Sequence, residues 1–168
     1  MKVKSFHIFY LFQGILKYCP FKLGVYLRRL MYRPFFKYIG KGVVIKDNVE
    51  FKFPSEIYLG DYTQIATQCI FVGGKGLYIG KHVLIGAGTK IITSTHNYSN
   101  INLTIAEQGL SFKPIRIDDN VWFGFNVVVL GGRNIGTGDI LADNCVVVGK
   151  VPANTVYGKI KKKKIKER

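Results

Sequence analysis

Acidic residues are scarce in this chain of 168 residues, where 10 Asp and Glu face 25 Lys and Arg for a net charge of +15. The shortage is local. Residues 1–46 hold ten basic residues and no acid, and residues 159–168 hold seven basic residues and Glu167. Residues 47–158 hold eight basic and nine acidic residues, so the middle is near neutral. Nucleic-acid binders usually spread their cations along a folded reading face beside stacking aromatics, which argues against that class here. Cations gathered at the flanks suit a phosphate-bearing small molecule or an anionic membrane surface instead. Long apolar runs are also missing. The longest, Phe6 to Leu16, contains His7 and Gln13 and is too short to span a bilayer. It lacks a small-residue cleavage site, so no signal peptide is expected. Cysteine is limited to Cys19, Cys69 and Cys145, which cannot all pair; a reducing, cytoplasmic setting is expected. Histidine is limited to His7, His82 and His96. Zinc needs three well-spaced ligands, and only His82 and His96 lie in the near-neutral middle of the chain, so no metal is expected.

What the chain does have is a period of six. Ile117, Phe123, Val129, Ile135, Leu141 and Val147 keep it, as do Leu59, Ile65 and Phe71, then Ile79, Ile85 and Ile91 after a shift of two. Helices do not repeat at six, and sandwich strands do not hold phase over this distance. Short strands joined by regular corners do, with three faces to a coil of 18 residues and coils stacked at about 4.8 Å. The marked residue fills the interior of its face, and a second inward site lies two residues earlier, at Val121, Val127 and Cys145. Asp118-Asp119-Asn120 and Asp143-Asn144 suit the corners, which need backbone geometry that β-branched residues resist. The fold class is therefore all-β, a parallel β-helix with a short helical N-terminal segment and a protruding loop.

Three regions follow. Residues 1–42 read as a basic amphipathic helical segment. Phe6, Phe9, Tyr10, Phe12, Ile15 and Leu16 share one face, and Leu23, Leu27, Leu30 and Met31 follow at helical spacing among Arg28, Arg29 and Arg33. Such a segment caps the open end of a solenoid or rests on a membrane surface. Residues 43–158 form the β-helix. Its phase breaks between Ile91 and Ile117, where polar, aperiodic sequence predicts a loop over 94–114. Residues 159–168 are a basic tail. At the base of the loop, His96 stands where a neutral imidazole could take a proton from an alcohol.

Ser94-Thr95-His96-Asn97-Tyr98, the loop, and then Pro114-Ile115-Arg116-Ile117-Asp118-Asp119-Asn120-Val121-Trp122-Phe123-Gly124 resemble a known pattern. It is that of the hexapeptide-repeat acyltransferases, in the sugar and polysaccharide O-acetyltransferase branch related to maltose and galactoside acetyltransferases. The likeness covers about residues 40–158. It implies a left-handed β-helix, an exception to the usual crossover hand, and a homotrimer with active sites between subunits. It also implies direct acetyl transfer from acetyl-CoA to a sugar hydroxyl of a cell-surface polysaccharide or its precursor, with His96 as general base. Trp122, Asn97, Tyr98 and Glu107 become acceptor contacts. Trp122, Gly124, Phe125, Ala142, Asp143, Val148, Gly149, Lys159, Lys161 and Lys162 become donor contacts.

The chain departs from the pattern at Asp143, Val148 and Gly149, where relatives commonly carry Ala, Thr and Lys, and the lysines from Lys159 onward could compensate by reaching phosphates. The asparagine that relatives often place one coil before the histidine is replaced by Thr67-Gln68. A small free acceptor (sugar, amino acid or antibiotic) and a non-catalytic scaffold are the competing readings. The basic N-terminus admits peripheral membrane contact, and with it a location at the inner membrane face.

Overall fold

The computed structural model describes residues 3–149 and 151–158, with side chains from His7 onward. Two helices, α1 (Val3–Leu16) and α2 (Phe21–Tyr32), precede eighteen short strands among the described residues. Sixteen of these strands form three parallel sheets of five, six and five strands, the three faces of a β-helix. Each face stacks its inward residues in register. The first face aligns Ile39, Leu59, Ile79, Ile117 and Ile135. The second aligns Ile45, Ile65, Ile85, Phe123 and Leu141, and the third Phe51, Phe71, Ile91, Val129 and Val147. All fifteen are buried. Burying one such side chain contributes about 2 kcal/mol, so the columns are the main source of cohesion.

The second inward sites are narrower, and the polar groups there are satisfied. The Thr63 hydroxyl donates to the Gly80 carbonyl at 2.7 Å. The buried Asp139 carboxylate accepts from the Gly136 and Thr155 amides at 2.8 and 2.9 Å. Cys69 and Cys145 fill two further sites and are free thiols; burial pushes the Cys69 thiol up to about 11. Corners between the first and second faces use one residue in left-handed conformation, including Tyr62, His82 and Asn120. His82 stacks there on Tyr62, with ring centroids 5.1 Å apart.

The coils are not uniform at 18 residues. Leu59 follows Ile39, and Ile79 follows Leu59, by 20 residues, whereas Ile135 follows Ile117 by 18. The two extra residues fall at the corner from the third face to the first, occupied by a short 3-10 helix (Pro54–Glu56) in one coil and by Gly73-Gly74 in the next. In the third coil the same corner carries the long loop. The strands also start at Tyr38–Ile39, ahead of the Val43 boundary expected from sequence, because Tyr38 and Ile39 pair with Tyr58 and Leu59.

The two helices close the open end. A solenoid's first coil exposes unpaired edge groups, and here side chains take them. Gln13 Oε1 accepts from the Phe51 amide at 2.7 Å, and Arg28 Nε donates to the Ile45 carbonyl at 2.9 Å. Arg28 Nη1 also donates to the carbonyls of Leu16 and Cys19, tying the end of α1 to α2. Burial lowers the pKa of this guanidinium. The inward face of α2 is Gly24, Arg28 and Tyr32, while Leu23 and Leu30 of the Leu23, Leu27, Leu30 and Met31 stripe are exposed. Gly24 permits the contact, since a Cβ there would fall on the Cys19 carbonyl oxygen. In α1, Phe9 is fully buried against Tyr32, Phe35 and Phe36, while Ile15, at the edge of the same broad apolar face, is exposed.

Candidate active site

The predicted loop begins and ends as an antiparallel hairpin. Ser94–His96 pairs with Leu110–Phe112, setting His96 opposite Leu110. His96 is exposed, at the last rung before the chain leaves the hairpin. Beyond it the loop is braced by its own side chains. Gln108 Nε2 donates to the carbonyls of Asn100 and Leu103, and its Oε1 accepts from the Asn100 amide. Asn97 Nδ2 donates to the Gln108 carbonyl at 2.9 Å, so this residue braces the base of the loop. Glu107 accepts from the hydroxyl and amide of Thr104, and these bonds hold its carboxyl below the usual range. Tyr98 is half exposed in the same loop.

The hairpin is seated by Phe112. Its ring meets Phe53 edge to face at 5.9 Å, and a Cβ at Gly74 would lie 2.5 Å from its Cδ1. The widened corners of the two earlier coils therefore form a socket for the hairpin of the third. Phe112, Phe53 and Gln108 went unnoticed in the sequence, although Gly73-Gly74 at a corner that already carried extra residues was a usable signal.

Trp122 lies elsewhere. It points outward from the second face, between Leu84 and Ile140 in register, and is 53% exposed. The chain passes through the faces in order, and the hairpin leaves at the third-to-first corner. The second face lies opposite that corner of a three-sided prism, so one chain holds His96 and Trp122 on opposite sides. Gly124-Phe125 and Ala142-Asp143 occupy successive coils at the corner between the second and third faces. Here Asp143 Oδ1 accepts from the Phe125 amide at 2.7 Å. Val148 and Gly149 lie past the third face, where both the amide and the carbonyl of Val148 bond the Tyr157 hydroxyl at 3.1 Å. Lys159, Lys161 and Lys162 lie outside the described residues. Among the described residues, no group of three His, Cys, Asp or Glu could hold a metal ion.

Asp143 is one of a series. Asp61 accepts from the Lys41 amide at 2.9 Å and Asp119 from the Lys81 amide at 2.8 Å, each bracing the corner of the preceding coil. A Cβ at Gly40, Gly80 or Gly124 would strike these same carboxylates. Glycine at one corner with aspartate in the next coil is thus a structural pairing. It accounts for the departure at Asp143 without reference to any ligand.

No protein-family model matches the chain. Individual proteins do. It is 30% identical over 129 residues to the putative colanic acid biosynthesis acetyltransferase WcaF of Escherichia coli, covering 77% of this chain and 68% of that protein. The chain belongs to the hexapeptide-repeat acetyltransferases. A crystal structure from Vibrio cholerae, a hexapeptide-repeat-containing acetyltransferase complexed with acetyl-CoA, superposes with a TM-score of 0.78. It shares 30% identity over 90% of this chain and 82% of that one. A putative acetyltransferase of Schizosaccharomyces pombe is 30% identical over 113 residues, 67% of this chain, which spans 53% of that protein. Within the hexapeptide-repeat acetyltransferases, then, the body of this chain is a parallel β-helix and its hairpin carries the one histidine placed on a projecting loop.

Proposed function

We propose that the protein transfers an acetyl group from acetyl-CoA to a sugar hydroxyl of a cell-surface polysaccharide or its precursor, with His96 as general base. The observation that carries this reading is the exposed His96 at the rim of a hairpin anchored in the β-helix by Phe112. The name of WcaF, a colanic acid biosynthesis acetyltransferase, points to a polysaccharide acceptor, and the acetyl-CoA bound to the Vibrio protein points to the donor.

Acetyl-CoA supplies the thioester carbonyl. His96 takes the proton of the attacking hydroxyl and returns it to the departing thiolate, leaving the imidazole neutral for the next cycle. Backbone amides are the natural partners for the oxyanion between these steps. The donor-side residues fit an adenine-bearing thioester: Trp122 and Phe125 present exposed rings, and the Asp143 carboxylate is engaged on the Phe125 amide. Because His96 and Trp122 face away from each other in one chain, a complete site needs a second copy. An outward apolar row on the second face (Leu84, Trp122, Ile140 and Val156) supports assembly, and the homotrimer is the expected closure.

His96→Ala tests the reading. Loss of a general base lowers the rate by about 10²–10⁴-fold, while acetyl-CoA binding by calorimetry and the oligomeric state stay as in wild type. Unchanged turnover would remove His96 from the mechanism. Absence of donor binding in wild type would remove acetyl transfer itself.

A further inference from the structure

The side chains that close the β-helix are not the ones that crowd the outer surface of α1 and α2. Phe9, Gln13, Arg28 and Tyr32 do the capping and are buried. Ile8, Leu11, Ile15, Tyr18, Leu23, Tyr26 and Leu30 are at least 47% exposed, and Phe21 is 87% exposed. Single exposed apolar residues are ordinary, but eight on two adjacent short helices and the turn between them mark an interaction surface. Cations run alongside. In α2 the helical period sets Lys22, Arg29 and Arg33 on one stripe and Tyr26, Leu30 and Leu23 on the next, both away from the buried Gly24, Arg28 and Tyr32.

The basic stripe ends in a socket. Arg29 and Arg33 line a cavity of about 410 Å³ with Lys41, Tyr62 and the glycines at 40 and 42. Among the described residues, none of these three cations forms an ion pair. A second cavity of about 450 Å³, at the other edge of α2, is lined by Phe21, Lys22, Val25, Val44 and Lys46, with Arg28 and Asp47. The first 46 residues carry ten cations and no acid, while the following 112 have a net charge of −1.

We propose that the outer face of α1 and α2 docks on an anionic lipid membrane, with exposed apolar side chains at the acyl boundary and Arg29, Arg33 and Lys41 receiving a lipid phosphate. Charge decides between occupants. A second copy would oppose two faces on which Lys22, Arg29, Arg33, Lys41 and Lys46 outnumber the neighbouring acids Asp47 and Asp61, so like charges would meet across the contact. A bilayer bearing phosphates matches both stripes at once, with the helices lying in its plane. No described helix is long and apolar enough to cross a membrane, so the contact is peripheral. The docking does not depend on the acetyl-transfer reading, and its test needs no turnover.

Full-length protein is floated with phosphatidylcholine vesicles and with vesicles that also contain phosphatidylglycerol, at low and high salt. Wild type should bind only the anionic vesicles, and less at high salt. Arg29→Glu with Arg33→Glu should weaken binding by roughly thirtyfold or more, and Leu23→Ser with Leu30→Ser should weaken it at constant charge. Circular dichroism should confirm that these exposed substitutions leave the fold intact. Failure of wild type to bind anionic vesicles overturns the proposal. So does binding that survives both double substitutions and disappears on removal of residues 159–168, since the tail would then be the membrane contact.

Discussion

At the capped end of the β-helix a cation is buried, and at the hairpin a histidine is exposed. Arg28 gives its N–H groups to three backbone carbonyls, joining α1, α2 and the first coil. His96 stands at the edge of a two-stranded hairpin whose loop is held by its own amides and carboxylate. The same scaffold thus divides its polar groups by task. Where the backbone would be left unpaired, polar side chains face inward and contribute stability. Where chemistry is expected, they face water, and the scaffold holds only the hairpin's base.

The contrast can be broken from either end. Arg28→Met keeps much of the side-chain volume and leaves the Ile45 and Cys19 carbonyls without their donor, while the Leu16 carbonyl keeps the Cys19 amide at 3.1 Å. Each buried unpaired group costs about 1–3 kcal/mol, so chemical denaturation should show a loss of about 2 kcal/mol or more. Acetyl-CoA binding below the midpoint should persist. A loss under about 1 kcal/mol would mean that water replaces the guanidinium freely.

The hairpin should respond the other way round. Phe112→Ala empties the socket at Gly74 and Phe53, and it should lower acetyl transfer by more than tenfold while costing about 2 kcal/mol of stability. Gly74→Ala should act in the same direction by pushing Phe112 aside. If Phe112→Ala kept full turnover, the socket would not be positioning His96.

The smallest effect concerns pH. Burial pushes the Tyr32 phenol from 10.0 up to about 12, and the Cys69 thiol from 9.0 up to about 11. Both hold their protons in the folded chain at pH values where the unfolded chain has released them. Their stabilising contribution is therefore complete below pH 9 and is lost as pH rises from 9 to 12. The melting temperature should fall over that window, and Tyr32→Phe should flatten the upper half of the fall. Because the Tyr32 hydroxyl is buried without a partner among the described residues, the same substitution should add about 1 kcal/mol near neutral pH. A melting temperature that did not change between pH 9 and 12 would contradict both assignments.

The difference between the two regions also explains what the sequence revealed. The inward columns were legible because alternation along a strand and a six-residue corner period determine which side chains point inside, whatever the neighbours are. The hairpin histidine was legible because the period stops there. The inward side of the cap was not legible for a physical reason: helical spacing locates a stripe of apolar residues without fixing which way it faces, and here Leu23 and Leu30 face out while Arg28 faces in. What buries Arg28 is a set of carbonyls contributed by α1 and the first coil, which no local pattern encodes. Gln108 and Phe112 escaped notice on the same grounds, since their partners are chosen by the fold. Asp143 was legible as a corner residue, and its carboxylate answers an amide in the preceding coil.

The hairpin leaves and re-enters the prism at neighbouring points, with Ser94 opposite Phe112. Closing a loop costs little more as it lengthens, because the entropic penalty grows only with the logarithm of its length. Residues 97–109, beyond the rung that pairs His96 with Leu110, are therefore a detachable cassette. Its length and composition can be rewritten without shifting a single coil, so on the proposed function a different acceptor could be accommodated by grafting that segment alone, with His96 and the corners at Gly124-Phe125 and Ala142-Asp143 left as they are.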